Sequence, residues 1–290
     1  MHLDENFIDY DMTVNVLITG ANTGIGRVTA RELARQGARV FAAGLSLART
    51  QPLIDEVQAI PGAGPVEWLE LDLASFASVR ACAATFLAKE MPLHILINNA
   101  GLAGAKGVTQ DGFERAMGVN HLGHFLLTQL LLERIKASAP ARIVTVASRA
   151  HYRARELNFD SLRQSTRSFT AIDEYSVSKL ANVLFSAELA RRLQGTQVST
   201  YSLHPGVVAT DVWRHVSWLL RQIIKLRGLI TAEDGALTTL HCATSPEVAH
   251  QTGLYWDCYA PKAPSALAQD PVLAQQLWHW SERACQIAQA

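Results

Sequence analysis

The run Tyr-Ser-Val-Ser-Lys at 175–179 sets two reactive side chains, Tyr175 and Lys179, four residues apart. The stretch 173–193 reads as a helix, with acidic residues in its first turn and Arg191 and Arg192 near its end. Side chains four apart share a helix face, so an ammonium stands beside a phenol. A tyrosine at its ordinary pKa of about 10 exchanges protons poorly near neutrality. A neighbouring cation favours the phenolate and lowers that value. The tuned hydroxyl can then serve as acid or base towards a reacting oxygen. A tyrosine that merely packs with its hydroxyl at the surface is the plainer alternative, and the pair alone does not choose between them.

The elements that must position the pair lie upstream. Residues 14–19 (VNVLIT) form a short apolar, β-branched run that reads as a buried strand. Gly20, Ala21, Asn22, Thr23, Gly24, Ile25 and Gly26 follow, and then a helical stretch at 27–36. A strand, a glycine-rich turn and a helix make a dinucleotide-binding arrangement, in which bare backbone approaches a pyrophosphate at the helix N-terminus. The spacing is Gly-x3-Gly-x-Gly, and a tight turn without ligand is the bland alternative. The second strand, 39–43, ends at Gly44 and Leu45, where an acid would read a ribose hydroxyl and a base a 2′-phosphate. Ser46, Arg49 and Arg27 are near enough in sequence to meet a phosphate, or are simply solvated.

A third strand at 66–71 leads to Asp72 and Leu73, a helix covers 75–90, and a fourth strand at 94–97 runs into Asn98, Asn99, Ala100 and Gly101. Asn98, Ala100 and Gly101 can set small polar groups and bare backbone against a flat ligand. A helix is expected over 111–136, with Asn120 inside it, a poor helix-interior residue that either breaks the helix locally or holds a water. The fifth strand, 143–147, delivers Ser148 at the C-terminal sheet edge, where ligands bind in open α/β sheets. The sixth strand is 198–203, followed by a helix at 232–243, a last strand at 253–256 and a closing helix at 271–288. Trp278 and Trp280 in that helix suit a core or a subunit contact.

Composition narrows the class. The 290 residues are 49% hydrophobic and 18% charged, a globular balance with ample material for a core. The 26 basic and 26 acidic residues cancel, which gives no reason to expect a nucleic-acid partner. Cys82, Cys242, Cys258 and Cys285 are far apart, show no metal-ligand spacing and read as free thiols. The acidic start MHLDENFIDYDM has no signal-peptide character, and no apolar run is long enough to span a membrane. No linker or repeat divides the chain, so one domain over 1–290 is expected, with 14–150 on the dinucleotide side and 148–290 carrying catalysis and a substrate lid.

TGANTGIG (19–26), Asp72, NNAG (98–101), Asn120, Ser148, YSVSK (175–179) and HPG (204–206) occur together in one order. In this the chain resembles the short-chain dehydrogenase/reductases. GVNHLGHFLLT, ARIVTVAS, SKLANVLF and LHPGVV, with the 27 positions from Ser148 to Tyr175, look closer still to the retinol-dehydrogenase-like branch. The resemblance implies an oxidoreductase that moves hydride between a nicotinamide and a carbonyl or alcohol. It also implies a Rossmann-type, doubly wound parallel sheet of about seven strands with helices on both faces.

Carried over by position, the resemblance makes Tyr175 the general acid or base and Lys179 its partner and ribose ligand. Ser148 would bond the substrate oxygen, and Asn120 would order a water towards Lys179. Gly20, Asn22, Thr23, Gly24, Ile25 and Gly26 would take the pyrophosphate, and Asp72 and Leu73 the adenine. Asn98, Ala100 and Gly101 would line the adenosine side. Pro205, Gly206, Val207, Val208 and Thr210 would face the carboxamide and phosphates. Leu45 stands where the branch usually has an arginine, and Gly44 where NAD-using relatives keep an aspartate; NADP(H) is favoured because no acid repels a 2′-phosphate, with NAD(H) the alternative. No metal is implied. Ala147 replaces a second, non-catalytic serine of many relatives.

The 210–230 segment places Trp213, Val216, Leu220, Ile223, Ile224 and Leu226 among Arg214, Arg221, Lys225 and Arg227. It suits an apolar lid over a hydrophobic small molecule, and such a helix can also rest on a membrane surface. A cytoplasmic homodimer or homotetramer is the expectation for the whole. A non-catalytic redox sensor and a sugar-nucleotide epimerase or dehydratase are the competing classes. The latter usually needs a longer C-terminal part than the roughly 80 residues after His204.

Overall fold

The computed structural model describes residues 14–208 and 230–287; Thr210 and the apolar, basic stretch from Trp213 to Arg227 lie outside the described residues. Eight strands form one sheet: β1 (Asn15–Thr19), β2 (Arg39–Gly44), β3 (Val66–Glu70), β4 (Ile95–Asn98), β5 (Ala141–Val146), β6 (Val198–His204), β7 (Leu254–Asp257) and β8 (Ala260–Pro261). Their order is β3-β2-β1-β4-β5-β6-β7-β8. The first seven are parallel, and β8 is a two-residue return strand antiparallel to β7. The expected strand count thus describes the parallel part.

Alternation along the strands builds two cores. Leu17, Phe41, Leu96 and Ile143 face one side, with α3 (Phe76–Leu87), α5 (Gly123–Ala137), α6 (Ile172–Arg192) and α8 (Pro271–Ala284) packed over them. Val16, Ile18, Val40, Ile95, Ile97 and Val144 face the other, under α1 (Gly24–Arg35), α2 (Leu47–Gln58) and α7 (Ala232–Thr244). Burial on both faces explains why β1, β4 and β5 are near-continuous apolar runs. Each fully buried leucine or phenylalanine contributes roughly 1.5–3 kcal/mol. Trp278 packs in the first core, with its ring centroid 5.1 Å from Phe125 and 5.9 Å from Phe185. Among the described residues no helix is long and apolar enough to cross a membrane.

Two expectations change. The single helix expected over 111–136 is three pieces: α4 (Arg115–Met117), a π-helical turn (Gly118–Leu122) and α5. Glycines flank the turn because space is short: a Cβ on Gly118 would lie 2.3 Å from Thr109 Cγ2, and one on Gly123 2.7 Å from the Leu73 carbonyl oxygen. The widened turn also frees Asn120 to bond away from its own helix. The second change is α2, which was not among the expected elements and carries Pro52 inside it.

Two histidines are sealed beneath this turn. His121 Nε2 lies 2.9 Å from Ser281 Oγ, and His124 Nε2 2.8 Å from Thr19 Oγ1. Burial pulls His121 down to about 3 and His124 down to about 4. Below their ordinary pKa near 6.5 the unfolded chain binds protons that the folded chain refuses, so stability falls as pH falls from 6.5 towards 4. Each contributes about 1.4 kcal/mol per pH unit in that window. Urea unfolding at pH 7, 6 and 5 should show this slope, and His121→Phe should reduce it by about one histidine's share. An unchanged slope would contradict the neutral burial of His121.

Candidate active site

The site begins where β1 stops. Gly20 (φ +70°) and Gly24 (φ +55°) adopt left-handed backbone that side chains resist. A Cβ on Gly26 would fall 2.3 Å from the Gly20 carbonyl oxygen and 2.4 Å from Asn99 Nδ2, so only glycine lets α1 start this close. Thr19 fixes the turn from below. Its Oγ1 accepts the backbone N–H groups of Asn99 (3.0 Å) and Ala100 (2.9 Å). Its own proton goes to His124 Nε2, because His124 Nδ1 must donate to the Asn120 carbonyl oxygen at 3.1 Å. One threonine therefore ties the ends of β1 and β4 to the π turn.

That turn carries Asn120, fully buried. Its Nδ2 donates to the Leu102 carbonyl and to Ser178 Oγ, each at 3.0 Å, and its Oδ1 accepts the Leu102 N–H at 2.9 Å. Tyr175 and Lys179 project from α6 as their spacing requires, with Lys179 Nζ 5.8 Å from the Tyr175 ring centroid. Lys179 Nζ donates to the Val146 carbonyl at the end of β5, at 2.7 Å. Two residues further along the same strand end, Ser148 Oγ accepts the Ala150 N–H at 3.1 Å and stands close enough to Tyr175 to favour the charged form of its hydroxyl. The four expected catalytic residues are thus brought together.

The electrostatics differ from expectation. Burial pushes the Tyr175 hydroxyl up, and the nearby Ser148 hydroxyl only partly offsets it, so its pKa is raised. Burial pulls Lys179 down to about 7. The expected lowering of Tyr175 by Lys179 is reversed because both groups are desolvated and the ammonium is turned to a carbonyl.

A cavity of about 1590 Å³ joins the glycine turn to Ser148, Tyr175 and Lys179. That exceeds the range of a drug-sized pocket and leaves room for a dinucleotide beside a substrate. Every expected cofactor residue described by the structure lines it, except Asn98. Asn98 is buried with its Nδ2 on Thr128 Oγ1 at 3.0 Å, and Asn99 takes the position at the wall, with Nδ2 on the Thr19 carbonyl at 2.8 Å. Arg27 is also displaced from its expected role: its guanidinium pairs with Glu56 at 2.7 Å. Ser46 caps α2 by accepting the Arg49 N–H at 3.4 Å, and both residues line the cavity. Asp72 lines it too, with Oδ1 accepting the Ala74 N–H at 2.8 Å. His204, the first residue of the HPG run, lines it as well, as do Val119 and Arg115, which were not singled out in the sequence.

A parallel sheet whose strand order reverses between β1 and β4, with a glycine turn at that reversal and a Ser–Tyr–Lys group across from it, defines a dinucleotide-binding oxidoreductase fold. Residues 14–218 match the family model described as short chain dehydrogenase, and the chain belongs to that family. It is 46% identical over 271 residues to human (Homo sapiens) retinol dehydrogenase 11, covering 91% of this chain and 83% of that one. An uncharacterised protein of Mycobacterium Paratuberculosis has a similar structure, with TM-score 0.74, 34% identity and coverage of 97% and 98% of the two chains. The 3-ketoacyl-(acyl-carrier-protein) reductase of Brucella melitensis complexed with NADH is 25% identical, with TM-score 0.66 and coverage of 84% and 96%. The chain is an oxidoreductase of the retinol-dehydrogenase-like kind.

The buried ammonium makes a stability test. Lys179 is charged in both states below pH 7 and bears the full burial cost there; as pH rises from 7 towards 10.5 the unfolded chain holds the extra proton and the cost fades. Lys179→Met should therefore melt above the parent protein at pH 6, with the gap narrowing by pH 9.5. A gap that widens with pH would contradict the burial of this charge.

Proposed function

We propose that this oxidoreductase interconverts a carbonyl and an alcohol on a hydrophobic small molecule, using a nicotinamide dinucleotide. The observation that carries the proposal is that Ser148, Tyr175 and Lys179 line one cavity with the glycine turn, with Lys179 Nζ held on the Val146 carbonyl at 2.7 Å. The cavity suits the cofactor: bare backbone at Gly20 and Gly26, a helix N-terminus at α1 and no acid within the turn favour a pyrophosphate. Bound nicotinamide supplies or accepts the hydride.

The chain's own groups do the rest. Tyr175 Oη gives its proton to the substrate oxygen in reduction and takes it back in oxidation. Ser148 Oγ holds that oxygen and stabilises charge on it. Lys179 binds the ribose, and a charged ligand favours its protonated form. Asn120 orders a water that restores the proton through Lys179. Space for it is suggested beside Gly101, where a Cβ would sit 3.4 Å from Asn120 Oδ1 and 3.5 Å from Lys179 Nζ. Leu102, Ala105, Ala150 and Ile172 give the cavity near Tyr175 an apolar lining suited to an aliphatic or isoprenoid carbonyl. The name of the retinol dehydrogenase relative agrees with such a substrate.

We read the cofactor as NADP(H). No acid stands at Gly44 or Leu45 to repel a 2′-phosphate, and Ser46 and Arg49 flank the cavity at the N-terminus of α2. Fluorescence titration of NADPH and NADH at equal salt tests this. NADPH should bind more tightly, and Arg49→Ala should weaken NADPH by roughly tenfold while leaving NADH unchanged. Tighter NADH binding would overturn the cofactor assignment. Failure to bind either nucleotide, with no turnover of medium-chain aldehydes or retinal, would overturn the function.

A further inference from the structure

Ser148 sits on a turn, and what holds that turn comes from the far end of the chain. Arg149, the next residue, places Nε and Nη2 on the two carboxylate oxygens of Asp257, each at 2.8 Å. Asp257 ends β7, and its side chain is 2% exposed. Lys262 adds its Nζ to the same carboxylate at 2.8 Å. Burial opposes the charge on Asp257, but hydrogen bonds from Arg149 and Lys262 outweigh it and hold the carboxyl well below the usual range.

The other side of the turn is held by His151, fully buried. Its Nδ1 lies 2.7 Å from the Ser148 carbonyl oxygen, and its Nε2 3.1 Å from the Ser265 backbone nitrogen. A carbonyl can only accept and an N–H can only donate. His151 is therefore neutral, with its proton on Nδ1. Rings of Tyr152 and Tyr255 pack against it, with centroids 4.1 Å and 4.7 Å away.

Between Asp257 and Lys262 the chain reverses through Cys258 (φ +54°) and Tyr259 (φ +66°). Residues with side chains keep such left-handed backbone where the surroundings over-determine it. Here Asp257, before the turn, pairs both with Arg149 and, across the turn, with Lys262. The hairpin and the segment to Ser265 lie past residue 218, where the family match ends.

We propose that the β7–β8 hairpin and the segment to Ser265 form a brace for Ser148, with Asp257 and His151 as positioning residues that aim its hydroxyl. The proposal rests on the reading of Ser148 as the residue that holds the substrate oxygen. Neither Asp257 nor His151 touches the reacting atoms. Each fixes one side of the peptide that carries Ser148: His151 its carbonyl, and Asp257 the following residue. A misplacement of about 1 Å at such a group costs on the order of 100-fold in rate.

Asp257→Asn keeps the shape and gives up the charge that holds Arg149. It should lower kcat by roughly 10- to 100-fold while KM and the NADPH dissociation constant stay within about twofold. Placed on Ser148→Ala, the same substitution should cost nothing further. Equal losses in both backgrounds would mark a merely structural residue and overturn the proposal. A second readout needs no turnover. With tyrosine labelled at 13Cζ and the Tyr175 resonance identified by its loss in Tyr175→Phe, the Tyr175 pKa should rise in Asp257→Asn as the Ser148 hydroxyl is misdirected. An unmoved Tyr175 titration would contradict the brace, whether or not a carbonyl substrate is turned over. If Asp257→Asn does not fold, Arg149→Ala carries both measurements, because that side chain is 52% exposed and can be removed without opening the core.

Discussion

A lysine ammonium kept inside the protein is the constraint to which the rest of the site answers. Lys179 is 3% exposed and rests on the Val146 carbonyl. Burying a charge with so little compensation costs several kcal/mol, and the fold bears it by packing everything else around that point. The end of β5 must lie beneath α6 to offer a carbonyl. Gly101 leaves open space between Nζ and Asn120 Oδ1. Asn120 must stand on a widened turn so that its amide can reach Leu102 and Ser178 rather than its own helix. Each of these is a local irregularity that a regular helix or strand would not provide. Together they place a titratable pair where a ligand's charge can tune it.

Two anchors set the distance between the cofactor side and this group. Thr19 links the ends of β1 and β4 to the π turn through His124. Arg149, Asp257 and His151 link the end of β5 to the hairpin after β7. The first anchor lies under the glycine turn and the second beyond Ser148, so the cavity is framed by contacts between residues far apart in sequence. The outer sheet edge, which looks structural from its position, takes part in holding the centre.

Much of this could be read from the sequence because short-range spacing has direct geometric meaning. Tyr175 and Lys179 meet because residues four apart share a helix face, and the glycine turn follows from the need for bare backbone. What escaped depends on parity and on partners. Asn98 and Asn99 are adjacent, yet Asn98 still belongs to β4 and its side chain reaches Thr128 on α5, while Asn99 past the strand end reaches Thr19. One residue of register moves a side chain to the opposite face. Arg27 could be read only as a phosphate ligand or a solvated charge, because its partner Glu56 comes from α2, too far along the chain for short-range spacing to show. The direction of the Tyr175 shift was misjudged because a neighbouring charge is visible in a sequence and the depth of burial is not.

The central claim is that the Tyr175 hydroxyl passes the proton while the cavity binds the dinucleotide independently of it. Single-turnover oxidation of NADPH by a hydrophobic aldehyde, compared between the parent protein and Tyr175→Phe, tests this most directly. The rate should fall by roughly 100- to 10,000-fold, with NADPH affinity within about twofold of the parent. An unchanged rate in Tyr175→Phe would show that the proton comes from elsewhere and would contradict the account.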